Sequence, residues 1–369
     1  MATQKEIAER LNISQQAVSA SLGNRTGTVK VAPETRERVL SAARQFGYVP
    51  NEMARSLKSG KTGMIGVLMP FCKDPYYSAL IDALNAEALK RKYSLLLQFH
   101  LWSGEDEEQA FQRLIGARVE GILSYPRSQN DGLSGIAALI KRRGIPVVAL
   151  SAQAGEDLYT GVVEKDYEEE GVLLAGELIR KGHRTLDILA VTSNHLTQQR
   201  RMQGVERAIA EAGIGVRARH VNLPAEMQAA LSPVAPASEE VKNRLVTQLA
   251  EFYTGYPERG SAVLVGNEAV AWKIMSLAHS RGIAVPNELS VVCSGTLGGG
   301  DNGQFPLTAA EYDVAEIASH ALDLLSATGG RRVRVQPRLM IRNSVATLTS
   351  SGGRVRSGGR HQRTKKAAP

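Results

Sequence analysis

The chain reads as an α/β protein with a small all-helical head at its N-terminus, and three observations predict this. Two short amphipathic segments separated by a tight turn occupy residues 3–22, and a third helical segment follows within the first fifty residues. From about residue 62 to about residue 349, short apolar runs alternate with amphipathic helices. Such runs fit strands buried on both faces, and βαβ alternation implies parallel sheets.

The first helix opens at Thr3, three residues before Glu6, which is the spacing of a reciprocal capping box; Ile7, Ala8 and Leu11 then share one face. Asn12, Ile13 and Ser14 break it. Ser14 is placed to cap a second helix whose inner face is Ala17, Val18 and Leu22, leaving Gln15, Gln16 and Ser19 outward. Two glutamines at a helix start present amide donor and acceptor pairs that match the N6/N7 edge of adenine in a major groove. An ordinary helical hairpin has the same helices, so the two readings stay level on these residues alone. Pro33 opens the third helix, with Val39, Ala42, Ala43 and Phe46 at helical spacing and Gly47 as its stop. From Asn51, the segment NEMARSL has length for one or two helical turns. Leu57 beside Arg55 is an apolar wedge next to a cation, as a minor-groove intercalating element requires; the alternative is a linker residue packing on the next domain.

Beyond the head, strands are expected at 64–70, 93–99, 119–125, 145–151, 185–191, 262–266 and 289–294, with an amphipathic helix over 77–92. The chain has 369 residues, 43% of them hydrophobic, enough for a head and sizeable cores. Its net charge of +8 is unevenly placed: residues 1–61 carry +5 and residues 350–369 carry +6, leaving −3 for the middle. Basic ends and a mildly acidic middle fit a protein that meets phosphate through its extremities. The tail from 350 lacks the apolar residues needed to fold and is expected to be disordered.

Cys72 and Cys293 stand apart with no Cys/His ligand spacing, so a reducing compartment is expected and a metal site is not. No signal-peptide pattern opens the chain and no apolar run reaches spanning length, so the expected location is cytoplasmic, with the nucleoid, and away from membranes. Enzyme signatures are missing too. No strand is followed by a Gly-x-Gly-x-x-Gly or Lys-containing phosphate loop, no Gly-x-Ser-x-Gly elbow occurs, and Gly298–Gly300 reads as a loop rather than a nucleotide cradle. His183 reads as structural, and Glu168, Glu169 and Glu170 as solvated charge at a helix start. No enzyme activity and no cofactor are expected.

The run from Ile7 to Pro75, with VEGILSYP at 119–126, GIPVVAL at 144–150, LIRKGHRTLDILAV at 178–191, QRRMQGVERAIAEAGI at 199–214 and LVGNEAVAWKIM at 264–275, resembles the lac repressor and purine repressor family of bacterial transcription regulators. The similarity extends from about residue 3 to about residue 348. It implies a helix-turn-helix head (1–47), a hinge (48–61) and a two-lobed periplasmic-binding-protein-like core with two parallel sheets. The lobes would be 62–162 with 292–325, and 163–291 with 326–349, the chain crossing near 162, 292 and 325. A basic tail (350–369) follows.

What the family implies for sites is specific. Thr3, Ser14, Gln15, Gln16, Ser19, Asn24, Thr28, Lys30, Thr35, Asn51, Arg55 and Leu57 would meet DNA. Tyr76, Tyr77, Ser124, Arg201, Asn267 and Tyr312 would line an effector cleft. Four positions depart from the pattern. Ala20 stands where some members carry a base-reading arginine, and Ala32 where a Ser cap is usual. Gly295 and Ser151 replace strand-end acids that hold ligand hydroxyls, which on sequence alone turns Arg201 toward an anionic ligand such as a sugar acid or phosphate; the alternative is an arginine paired with a local acid. The expected protein is a homodimer, a repressor by the family's habit, on palindromic double-stranded operator DNA, gated by a sugar, sugar acid or related metabolite. Two rivals remain: a solute-binding or enzymatic α/β protein with an appended head, and a family member that no longer answers to a ligand.

Overall fold

A computed structural model describes residues 2–22, 31–49, 60–71, 75–101, 103–127, 133–151, 158–189, 196–213, 215–221, 239–255, 261–295, 306–327 and 330–348. The chain divides into two units, residues 1–62 and 63–369.

In the first unit, α1 (Gln4–Leu11), α2 (Gln15–Leu22) and α3 (Pro33–Gln45) enclose Ile7, Ala8, Val18, Val39, Ala42 and Ala43. The capping box forms in full: Thr3 Oγ1 accepts the Glu6 N–H at 3.2 Å and the Glu6 carboxylate accepts the Thr3 N–H at 2.8 Å. Asn12 turns the chain in the left-handed region at φ 52°, and Ser14 Oγ caps α2 through the Ala17 N–H at 3.1 Å. One inner-face residue differs from expectation. Ser21 is buried where Ala17 is only half-buried, because the Ser21 hydroxyl donates to the Ala17 carbonyl at 2.7 Å and so enters the core satisfied. As expected, α3 has no side-chain cap at Ala32 and starts on Pro33.

The second unit holds two six-stranded sheets. The first, in the order β11-β5-β4-β3-β1-β2, comprises β1 (Met64–Pro70), β2 (Ser94–His100), β3 (Ile122–Ser124), β4 (Val147–Ala149), β5 (Gly161–Lys165) and β11 (Arg331–Val335), all parallel. On one face pack α4 (Pro75–Lys90) and α11 (Val314–Leu325), and on the other α5 (Gly104–Gly116) and α6 (Ser134–Arg143). The second sheet, β12-β10-β9-β8-β6-β7, comprises β6 (Thr185–Leu189), β7 (Arg217–His220), β8 (Ala262–Val265), β9 (Ser290–Ser294), β10 (Thr308–Glu311) and β12 (Arg338–Met340). One face carries α7 (Tyr167–Arg180) and α8 (Leu196–Ala212), and the other α9 (Glu239–Thr254) and α10 (Glu268–Ser280). This sheet is parallel except that β12 runs antiparallel to β10.

The chain passes between sheets after Lys165, after Glu311 and after Val335. The first crossing lies close to the expected 162, but the other two do not lie at 292 and 325. Val292 is inside β9, paired with Thr308 of β10, so both strands belong to the second lobe. Arg331 to Val335 pair with Gly161 to Lys165, which keeps β11 in the first lobe. The tail, Gly298–Gly300 and residues 50–59 of the expected hinge fall outside the described residues.

Near the first crossing the lobes share an ionic cluster. Glu164 of β5 is buried and accepts from Arg332 Nη1 at 2.6 Å and Arg334 Nε at 2.7 Å on β11, and from Arg200 Nη1 at 3.1 Å on α8. Burial pushes its carboxyl up, but the Arg334 hydrogen bond and the Arg200 and Arg332 charges outweigh this and hold it below the usual carboxylate range. A depressed folded pKa contributes stability present above the unfolded value of about 4.3 and lost as pH falls through the folded one. Glu164→Gln is therefore expected to lower the urea midpoint at pH 7 and to flatten the fall of stability below about pH 4. Equal pH slopes for the two proteins would remove Glu164 from the acid limb.

Candidate functional site

Two separate surfaces carry residues expected from sequence. In the head, Ser14, Gln15, Gln16 and Ser19 are exposed while Val18 on the same helix is fully buried, so the core sets which side of α2 faces outward. Thr3 is engaged as a cap, and Thr35 is half-buried in the first turn of α3. Asn24, Thr28, Lys30, Asn51, Arg55 and Leu57 lie outside the described residues. On this surface only uncharged polar side chains stand at the start of α2, which suits base edges better than phosphates.

The second surface forms where the two lobes meet, at the C-terminal ends of their strands and the helices that follow. Tyr76 and Tyr77 open α4 and meet edge to face at 5.4 Å, and Tyr77 meets Tyr125, just after β3, at 4.9 Å. Ser124 ends β3 and is buried against Tyr159, whose hydroxyl burial holds well above its ordinary pKa. Lys165, the last residue of β5, sets its Nζ 3.4 Å from the centroid of Tyr76 and 5.1 Å from that of Tyr312. Tyr312 follows β10, donates to the Asp166 carbonyl at 2.9 Å and lies 6.3 Å from the ring of Tyr167. Burial, with the Glu170 carboxylate and Tyr167 beside it, pushes the Tyr312 phenol far up, so it stays a hydrogen-bond donor at any physiological pH.

Arg201 is at the centre of the second lobe's contribution. Its Nε donates to Glu170, Nη1 to Gln198 Oε1 at 2.6 Å and Nη2 to Ser294 Oγ at 3.0 Å, with Tyr167 beneath at 5.6 Å. Burial lowers the guanidinium pKa, and the Glu170 charge and hydrogen bond more than restore it, leaving it above the ordinary value. Arg201 is thus no bare cation, and the sequence argument for an anionic ligand loses its premise. The arrangement depends on a close helix crossing. A Cβ built on Gly171 of α7 or Gly204 of α8 would fall well inside contact distance of the backbone carbonyls of Arg201 and Glu168 respectively, so both glycines let the two helix backbones touch.

Asn267 caps α10 by accepting the Val270 N–H at 3.2 Å, and Gly266 before it lies against Arg201, where an added Cβ would stand 3.1 Å from Nη1. Of the residues expected from sequence, Tyr76, Tyr77, Tyr312 and Arg201 are linked through Lys165 and Tyr167, Asn267 follows Gly266 beside Arg201 with its side chain engaged as a cap, and Ser124 is buried against Tyr159 instead. Of the departures, Gly295 has φ 69° and donates its N–H to the Ala310 carbonyl at 2.8 Å, a left-handed strand end that suits glycine rather than a ligand-holding acid. Ser151 is buried.

Sequence reasoning missed Lys165, Tyr125, Tyr167, Gln198 and above all Glu170. Glu168 and Glu169, expected as solvated charge, are half-buried and paired with Arg207 on α8, and Glu170 is fully buried. The signal was present. Tyr167, Glu170, Gly171, Leu174 and Leu178 share one helical stripe, and that stripe is the buried face of α7. The second carboxylate oxygen of Glu170, Oε2, is buried with no hydrogen-bond donor among the described residues, which costs about 1–3 kcal/mol. His183 is buried as a structural residue, with Nδ1 3.2 Å from Ser261 Oγ.

Comparison with known proteins agrees with this geometry. Residues 3–51 match the model of "Bacterial regulatory proteins, lacI family", residues 62–240 that of "Periplasmic binding proteins and sugar binding domain of LacI family", and residues 175–345 a periplasmic binding protein-like domain. The HTH-type transcriptional repressor PurR of Haemophilus influenzae (strain ATCC 51907) is 26% identical over 361 residues, covering 94% of this chain and 100% of that protein. PurR of Escherichia coli (strain ATCC 8739) is 27% identical over 355 residues, covering 94% and 97%. Among solved structures, the Lac repressor dimer bound to operator and the anti-inducer ONPF superposes with a TM-score of 0.71 at 21% identity, covering 94% of this chain and 99% of that one. A transcriptional regulator CelR–cellobiose complex does so with a TM-score of 0.59 at 19% identity, covering 93% and 100%. No helix among the described residues is long and apolar enough to cross a membrane. With a head, two doubly wound lobes and matches running in order from residue 3 to residue 345, this chain belongs to the lacI family of bacterial regulatory proteins, which are DNA-binding transcription regulators.

Proposed function

We propose that the protein is a homodimeric repressor that reads a palindromic double-stranded operator through its two heads and is gated by a small molecule, a sugar or related metabolite, held between the lobes of its core. It acts in the cytoplasm, on the nucleoid, and has no enzyme activity of its own. The observation that carries the reading is the exposed set Gln15, Gln16 and Ser19 on a capped helix whose other side is locked into the head's core. Asn24, Thr28, Lys30 and Thr35 would follow phosphates, and Asn51, Arg55 and Leu57 would form the hinge element in the minor groove.

One three-helix head covers too few base pairs for useful specificity, and two heads related by a dyad read a palindrome. Support for a second copy comes from β2, the outer strand of the first sheet, where Leu97 and Phe99 are exposed together with Leu101 just after it and Phe71, which meets Phe99 edge to face at 6.1 Å. The operator and ligand named for the Lac repressor neighbour, and the cellobiose of the CelR complex, support the other two partners. Tyr76, Tyr77, Ser124, Arg201, Asn267 and Tyr312 would contact the effector. Its binding would change lobe closure, and closure would bring the paired hinges together or apart.

The test is at the readers. Against an operator selected from random duplexes, Gln16→Ala is expected to lose about 1–3 kcal/mol and to relax the preference at one base position, while Lys30→Ala weakens all duplexes alike and lowers the salt dependence. Fluorescence anisotropy over a salt series separates the two. A base preference untouched by Gln16→Ala places recognition elsewhere.

A further inference from the structure

Within the interlobe cluster the two ends of the Arg201–Glu170 pair differ in what they have left to offer. Each side of the guanidinium is engaged, by Glu170, Gln198 and Ser294. The carboxylate is fully buried, gives one oxygen to Arg201, and keeps Oε2 without a donor among the described residues. The Tyr312 hydroxyl lies within hydrogen-bonding reach of the Glu170 carboxylate, but its one proton is directed to the Asp166 carbonyl at 2.9 Å, so Oε2 stays an acceptor. The pair carries no net charge, so a ligand entering beside it meets a spare acceptor rather than a spare cation.

We propose that Glu170 determines the ligand class of this cleft: it cancels Arg201 and presents Oε2 to a hydroxyl or ring N–H, selecting an uncharged hydrogen-bond donor and turning away ligands that bear a carboxylate or phosphate. The proposal rests on the reading of the interlobe cluster as the effector site. Two physical effects act in the same direction. A donor from the ligand satisfies an acceptor that is otherwise buried unpaired. An anion gains nothing there, since it faces a fixed carboxylate and reaches Arg201 only by displacing partners already in place. Lys165 keeps its charge over the faces of Tyr76 and Tyr312 and is common to the wild type and every Glu170 variant, so it does not account for a difference between them.

The experiment uses the full chain at constant ionic strength, with thermal shift and calorimetry, and inorganic phosphate, glucuronate and glucose as probes. Glu170→Gln keeps the side-chain volume and an amide oxygen for Arg201 Nε but removes the negative charge. It is expected to gain response to phosphate by about tenfold or more over the wild type, and the double variant Glu170→Gln/Arg201→Gln to lose that gain. A common background from the basic head and tail cancels in the comparison. A Glu170→Gln protein no more responsive to phosphate than the wild type overturns the proposal. Should that variant fail to fold, the wild type still decides: saturable binding of glucuronate, not matched by glucose, overturns it, and the lack of such binding is the expected result. Failure of the regulator reading would show separately, as a wild type that selects no operator from random duplexes, and would leave these titrations legible.

Discussion

Arg201→Ala is expected to cost the core unit about 3–5 kcal/mol, the usual effect of removing one partner of a buried ion pair. The loss comes less from the vanished attraction than from what is left behind. Glu170 is fully buried and already has one oxygen without a donor, so the variant would leave its carboxyl desolvated without the Arg201 guanidinium. Gln198 Oε1 and Ser294 Oγ would lose their donor as well. Replacing both members by apolar side chains of similar bulk, Glu170→Leu with Arg201→Met, is expected to recover most of the loss, because neither charge then has to be desolvated. Urea denaturation at pH 7 reads the difference as a shift of midpoint at constant slope. If Arg201→Ala unfolds at the wild-type midpoint, the pair is not buried in solution and Glu170 cannot shape the cleft as argued.

How far the site could be read in the sequence depended on what kind of evidence each residue left. Tyr76, Tyr77, Ser124, Arg201, Asn267 and Tyr312 were found through the resemblance, which aligns positions one at a time. Glu170 was not, since acids at a helix start have a sufficient local explanation in the helix dipole, and Glu168 and Glu169 obey it. What separates the third acid is its phase on the helix, three residues after Tyr167 and four before Leu174, which puts it on the packed side. Lys165 left no signal of its own, because a lysine at a strand end is ordinary until the chain that returns with Tyr312 is placed beside it.

The fold followed the same division. Strands with neighbours on both sides, such as β1, β3, β8 and β9, are apolar runs that stand out at once. Those overlooked include β7 (RARH), β11 (RRVRV) and β12 (RLM), each short, charged and at the edge of its sheet. Edge strands need only one neighbour and commonly carry charge that discourages further pairing. Missing β11 had a further consequence, since that strand decides to which lobe residues 326–335 belong, and the last crossing was set about ten residues early on that account.

Gly204→Val is expected to be at least as damaging as the loss of Arg201, at about 3 kcal/mol or more, because the atoms it would displace are backbone. The Cβ would collide with the Glu168 carbonyl oxygen and stand 2.9 Å from the Val172 nitrogen, and neither can turn aside as a side-chain tip can. The remedy open to the protein is to part α7 from α8, which strips contacts from Leu174, Val205 and Ala208 in the core beneath and draws Arg201 off Glu170. Gly176 supplies the control on α7 itself. Its added Cβ would meet nothing within 4 Å, so Gly176→Ala is expected to be neutral or to stabilise by about 0.5–1 kcal/mol through the helix propensity of alanine. Thermal melts followed by circular dichroism would therefore separate the two variants, Gly204→Val falling while Gly176→Ala holds or rises. A Gly204→Val protein melting with Gly176→Ala would mean that the helices do not cross at this distance, and the geometry that holds Arg201 against Glu170 would fall with it.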